Sequence, residues 1–158
     1  MVPPLDSQAI ANIISTVMAL AAIFALIYQL RAAKRQIKLH NFIEFTKRYQ
    51  EIILNLPERI NEPSFAIESL GPRKKNKTLR YMRTYFDLCF EEFTLRKKGF
   101  IDNGLWEMWK SGMEFAFSKS AFNQAWHVIR QDTKFGPGFE EFVQSHVATG
   151  QKREDSHP

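Results

Sequence analysis

A single cysteine, Cys89, in 158 residues excludes a disulfide framework within the chain and any zinc site built from several thiolates. Seven glycines and seven prolines rule out a collagenous or low-complexity chain. Neither residue occurs between Leu5 and Leu56, so no helix breaker interrupts that stretch. Positive charge is missing from residues 1–30, where Asp6 is the sole charged side chain. No segment alternates apolar and polar residues as a half-buried strand would. With 44% hydrophobic and 25% charged residues, the chain is not of disordered composition, and its length suits one small domain with an accessory segment.

What is present is unevenly placed. Of the net charge of +5, residues 1–30 contribute −1, residues 31–50 contribute +5 and residues 51–158 contribute +1. A nucleic-acid binder would spread its basic charge over the domain, so no nucleic-acid partner is expected. The basic block follows directly on Ala9 to Tyr28, where 17 of 20 residues are apolar and Asn12, Ser15 and Thr16 interrupt. As a helix, the uncharged stretch from Ser7 to Leu30 rises about 36 Å, enough to cross a hydrocarbon core of about 30 Å.

A membrane span has two rivals. A buried helix of a soluble domain rarely runs this long without a charge. A cleaved signal peptide would use Ala19-Leu20-Ala21 as its small-residue site, yet it needs its positive charge before the apolar run, and here the charge comes after. The expectation is an uncleaved, single-pass transmembrane helix over residues 8–30. Its tail, residues 1–7, lies outside, and residues 31–158 are cytoplasmic, with Arg31, Lys34, Arg35 and Lys38 at the inner face. Those four cations also attract anionic headgroups, each by about 1 kcal/mol. Ala11, Ser15 and Ala19 recur every four residues and offer a small-residue face for self-association in the membrane.

Beyond the span, Phe42, Phe45, Tyr49, Ile52 and Leu56 mark one apolar face of a helical stalk over residues 31–56. This face is expected to pack on the protein's own cytosolic domain, because it is too short for a coiled coil between two copies. Pro57, Pro63, Gly71 and Pro72 then mark a connector with a short helix near Ser64 to Leu70. A helix follows from about Lys77 to Lys98, closed by Gly99. A third, capped by Asp102, carries Leu105, Trp106, Met108, Trp109, Met113 and Phe117, and a fourth, capped by Ser118 or Ser120, carries Phe122, Ala125, Trp126 and Ile129. The turn Gly136-Pro137-Gly138 precedes a last helix with Phe139, Phe142, Val143 and Val147. The fold class is therefore all-α: one transmembrane helix continuing into a stalk, then a bundle of four to five short helices over residues 57–148, and a loose polar tail over residues 149–158.

No arrangement of side chains specifies a reaction, so no enzyme activity, metal or cofactor is expected. His40, His127, His146 and His157 form no helical metal-ligand spacing. Cys89 lies on an apolar helix face beside Glu91 and Glu92, where an acidic neighbourhood disfavours a thiolate; it reads as a core residue. Glu91-Glu92 and Glu140-Glu141 are adjacent pairs that diverge by about 100° on a helix and read as solvated faces. The aromatic residues after the span read as core, with Trp106 and Trp109 the two whose exposure matters most. The second basic cluster, Arg73, Lys74, Lys75, Lys77, Arg80 and Arg83, reads as a solvated loop, or as a contact for an acidic partner or the inner leaflet.

The uncharged span, Gln29-Leu30-Arg31-Ala32-Ala33-Lys34-Arg35 at its inner end, and the segments from Tyr85 to Glu92 and from Lys98 to Asp102 together resemble uncharacterised bacterial single-pass proteins with a small helical cytosolic domain. Trp106-Glu107-Met108-Trp109 and Ala125-Trp126 also suit that layout. The resemblance covers most of residues 9–130 and implies a bacterial inner-membrane setting. It is architectural and carries over no site residues. The expected function is a membrane-anchored adaptor, accessory or sensor subunit that binds a protein partner. A membrane-acting stress or phage-defence effector that oligomerises through its span is the alternative.

Overall fold

The computed structural model describes residues 6–154, with side chains to residue 147. It divides into two compact units at Phe42 and Ile43. The described part of the expected outer tail is Asp6 and Ser7; residues 1–5 and 155–158 lie outside the described residues.

The first unit is helix α1, Ser7–Asn55, up to residue 42. The Ile10 N–H donates to the Asp6 carbonyl at 3.1 Å, which closes the first turn. From Ile10 to Leu39 every side chain is exposed. An apolar helix with no side chain covered is the opposite of a core helix, and α1 holds an 18-residue window of mean hydropathy 2.4 that is long and apolar enough to cross a membrane. Thr16 Oγ1 donates to the Asn12 carbonyl at 2.8 Å, so one of the three polar interruptions between Ala9 and Tyr28 is satisfied by its own helix.

The second unit is all-helical, with no strand among the described residues. It takes in the end of α1, α2 (Pro72–Lys97), α3 (Asn103–Phe117), α4 (Ser120–Ile129) and α5 (Pro137–Glu154). Two single turns of 3₁₀ helix, Glu58–Asn61 and Ile67–Ser69, lie in the connector before α2. The unit starts at Ile43, before the boundary at residue 57 that Pro57 suggests, because Phe45, Ile52 and Leu56 are buried in its core. The apolar face of the stalk is thus covered in part within the unit, at Phe45, Ile52 and Leu56, while Tyr49 on the same face stays exposed. Phe45 packs against Trp109 with ring centroids 5.3 Å apart.

Aromatic residues fill the centre. Trp126, fully buried, lies 5.0 Å from Phe86 and 5.5 Å from Phe135, while Phe86 stacks on Phe117 at 5.4 Å. The connector is pinned by Ile60 and Ile67, both buried, and by the Ile67 N–H donating to Gln124 Oε1 at 3.0 Å.

Helix ends follow local chemistry with two exceptions. Gly99 adopts φ +76°, and the bonds from Phe100 N–H to the Leu95 carbonyl and from Gly99 N–H to the Arg96 carbonyl, each 3.0 Å, form the Schellman closure its position after α2 suggests. Asp102 Oδ1 accepts from the Leu105 N–H at 3.0 Å and caps α3. Helix α4 departs from expectation: Lys119 holds the cap position, the Ser118 hydroxyl donates to the Phe115 carbonyl, and Ser120 Oγ accepts from Gln124 instead. Helix α5 also departs, since its backbone stays helical to Glu154, through part of the polar stretch expected to be loose from residue 149.

Candidate functional site

Helix α2 begins at Pro72, five residues before the expected start at Lys77, because Pro at the first helical position needs no partner for a backbone N–H. This places the basic cluster on helix rather than in a loop. Cations at a helix N-terminus oppose the backbone dipole, and two of the six are tied down. Lys75 pairs with Glu68 at 2.5 Å. Arg83 donates to both carboxylate oxygens of Asp132, at 2.5 and 2.9 Å, and also to the Thr133 hydroxyl, tying α2 to the turn that follows α4. Arg73, Lys74, Lys77 and Arg80 are exposed, and the spacing of Arg73, Lys77 and Arg80 sets those three on one helix face.

The other expected positions stay on α1. Arg31, Lys34, Arg35 and Lys38 are all exposed, and so are Ala11, Ser15 and Ala19. Tyr28, 75% exposed, stands one turn before Arg31.

One concave feature of the second unit is not legible in the sequence. A cavity of about 210 Å³ lies between the end of α1, α2 and α3, lined by Phe45, Tyr49, Tyr85, Trp109 and Met113 among others. Cys89 and Glu92 also line it. Helical spacing explains how they meet: Tyr85, Cys89 and Glu92 follow one another at intervals of four and three on α2, so all three share its inner face.

Glu92 is the correction here. Read from the sequence as part of a solvated pair, it is 7% exposed, whereas Glu91 faces solvent and accepts both guanidinium bonds of Arg48, at 2.6 and 3.1 Å. The Glu92 carboxyl makes no hydrogen bond and no ion pair among the described residues. Trp126 Nε1 is the sole fully enclosed side-chain nitrogen or oxygen left unpaired among those residues. The Glu92 oxygens are therefore not fully enclosed, and Glu92 is among the residues that line the cavity. Burial pushes the carboxyl up to about 8, offset in part by the charge of Arg48 and reinforced by that of Glu91. Burial also raises the Cys89 thiol, with the charge of Glu92 adding to it, which fits a core cysteine and not a nucleophile. An acidic residue on the apolar face of a helix is the signal that marks Glu92 in the sequence.

A second, wider concavity of about 460 Å³ shares Tyr49, Tyr85 and Gly112 with the first. Its wall includes Leu54, 84% exposed, and Phe115, 57% exposed. Of the two tryptophans in question, Trp106 is buried and Trp109 is half-buried against Phe45 and the smaller cavity. No group of three or more His, Cys, Asp or Glu is placed to hold a metal among the described residues. His146 Nε2 lies 3.0 Å from Glu114 Oε1 and bridges α5 to α3.

Comparison with known proteins adds no relative: no family model, no curated protein and no solved structure matches the chain. The functional reading therefore stands on the chain's own residues.

Proposed function

We propose that this chain is a single-pass membrane protein of a bacterial inner membrane, with its N-terminus outside and its helical unit in the cytoplasm, and that it serves as an adaptor, accessory or sensor subunit for a protein partner. The observation that carries the reading is the most apolar window of α1, none of which is covered by the rest of the protein. Exposing that much hydrocarbon to water is costly, at roughly 25 cal/mol per Å², so a bilayer is the surrounding that suits it. The charge step from residues 1–30 to residues 31–50 supports the orientation. Tethering raises the effective concentration of the domain for other membrane-bound proteins without a new contact. The wider concavity, with Leu54 and Phe115 exposed along it, suits an apolar segment of such a partner.

The test is purification of the full chain, tagged at its C-terminus and extracted gently from membranes, with everything that co-elutes identified and quantified. A stoichiometric protein that is lost when Leu54 and Phe115 are changed to Glu supports the adaptor reading. Recovery of nothing but a homo-oligomer, dispersed when Ala11, Ser15 and Ala19 are changed to Leu, overturns it in favour of the membrane-acting effector. Release of the intact chain from membranes by alkaline carbonate overturns the anchor itself.

A further inference from the structure

We propose that the cavity bounded by α1, α2 and α3 is a binding site for a small organic cation with an apolar body, its ammonium group received by the Glu92 carboxylate among the aromatic rings of Phe45, Tyr49, Tyr85 and Trp109. The proposal goes beyond the adaptor reading and does not depend on it. Three observations carry it. The lining holds four aromatic residues, the side chains whose ring faces attract ammonium groups. It holds one carboxyl, Glu92, with no hydrogen bond or ion pair of its own among the described residues. It holds no Lys, Arg or His, and the nearby cation, Arg48, is committed to Glu91 by two hydrogen bonds.

Size and charge then narrow the guest. A cavity of about 210 Å³ exceeds the roughly 150 Å³ that accepts benzene in an apolar core, which leaves room for one ring or a branched alkyl group together with an amine. A neutral apolar guest would leave the Glu92 carboxyl unpaired, and a guest ammonium supplies its missing partner. Preference for the cation over its uncharged isostere is expected to be about tenfold or more.

The site also predicts a pH dependence. Because burial holds Glu92 up to about 8, the empty site carries a proton at neutral pH and must release it to receive the cation. Affinity for an ammonium is thus expected to rise about tenfold per pH unit as pH approaches that value, then level off. The other titratable or charged groups facing Glu92 or the cavity are Arg48 and Tyr49 from α1, and Tyr85, Cys89 and Glu91 from α2; α3 contributes none to the lining. Burial drives Tyr85 and Cys89 well above their ordinary values, out of this range.

The experiment is calorimetric titration of the full chain in neutral maltoside micelles with benzylamine and with benzyl alcohol, against micelle blanks, at about pH 6, 7 and 8, repeated on Glu92→Gln. Expected are a preference for benzylamine of about tenfold or more near pH 8, a benzylamine affinity that rises with pH while that of benzyl alcohol stays flat, and loss of both effects in Glu92→Gln. Failure of benzylamine to bind at millimolar concentration, equal binding of the two compounds, or an unchanged preference in Glu92→Gln would each overturn the proposal. Should that variant not fold, the pH dependence of the unmodified protein decides alone.

Discussion

Glu92 shows how one substitution separates burial from chemistry. Its pKa near 8 in the folded chain stands above the ordinary 4.5, so between those values the folded protein holds a proton that the unfolded chain has lost. More protons on the folded state means that stability falls as pH rises through that window, by up to about 1.4 kcal/mol per unit. Glu92→Gln keeps the shape and removes the titration. The variant should melt at a temperature nearly independent of pH from about 5 to 8, and should be more stable than the parent at pH 7 by on the order of 1–3 kcal/mol, measured by tryptophan fluorescence of the full chain in detergent. Asp132 does not confuse the measurement. Its bonds from Arg83 and Thr133 hold it down at about 2, so its own contribution changes only below the ordinary carboxylate range.

Among the helices, α3 offers two changes of opposite sign. Asp102→Ala removes the acceptor for the Leu105 N–H and should destabilise the chain by about 1 kcal/mol. Gly112 lies inside α3 with nothing within 4 Å of where a Cβ would stand, so Gly112→Ala should stabilise by about 0.5–1 kcal/mol through lost backbone freedom in the unfolded state. Thermal melts of the two variants and of the double variant check both values, and their additivity, since the sites lie about 15 Å apart along the helix. The ends of α2 and α3 were readable in the sequence because Gly99 and Asp102 act on backbone groups a few residues away. The start of α4 was not: Ser118 and Ser120 are both sound caps by type, and their hydroxyls are drawn to Phe115 and Gln124.

The division of the whole chain at Ile43 makes a prediction about its parts. A fragment from residue 43 keeps Phe45, Ile52 and Leu56 and should fold, with dispersed methyl signals in its NMR spectrum. A fragment from residue 57 loses all three buried side chains, Phe45 with its contact to Trp109 among them, and should aggregate or show a collapsed spectrum. Several features of the molecule rest on local pattern, and for these the sequence alone was decisive: helices throughout, an uncharged apolar run long enough for a bilayer, and a burst of positive charge after it. Such features depend on periodicity and composition within a few turns, which no distant contact overrides. Only the tertiary structure decided where the folded unit begins, that Arg83 serves Asp132 across 49 residues, and that Glu92 rather than Glu91 turns inward beside Tyr85 and Trp109. Adjacent carboxylates have the same chemistry along the chain; what separates them is which one α1 and α3 cover, and that is settled only when the helices pack.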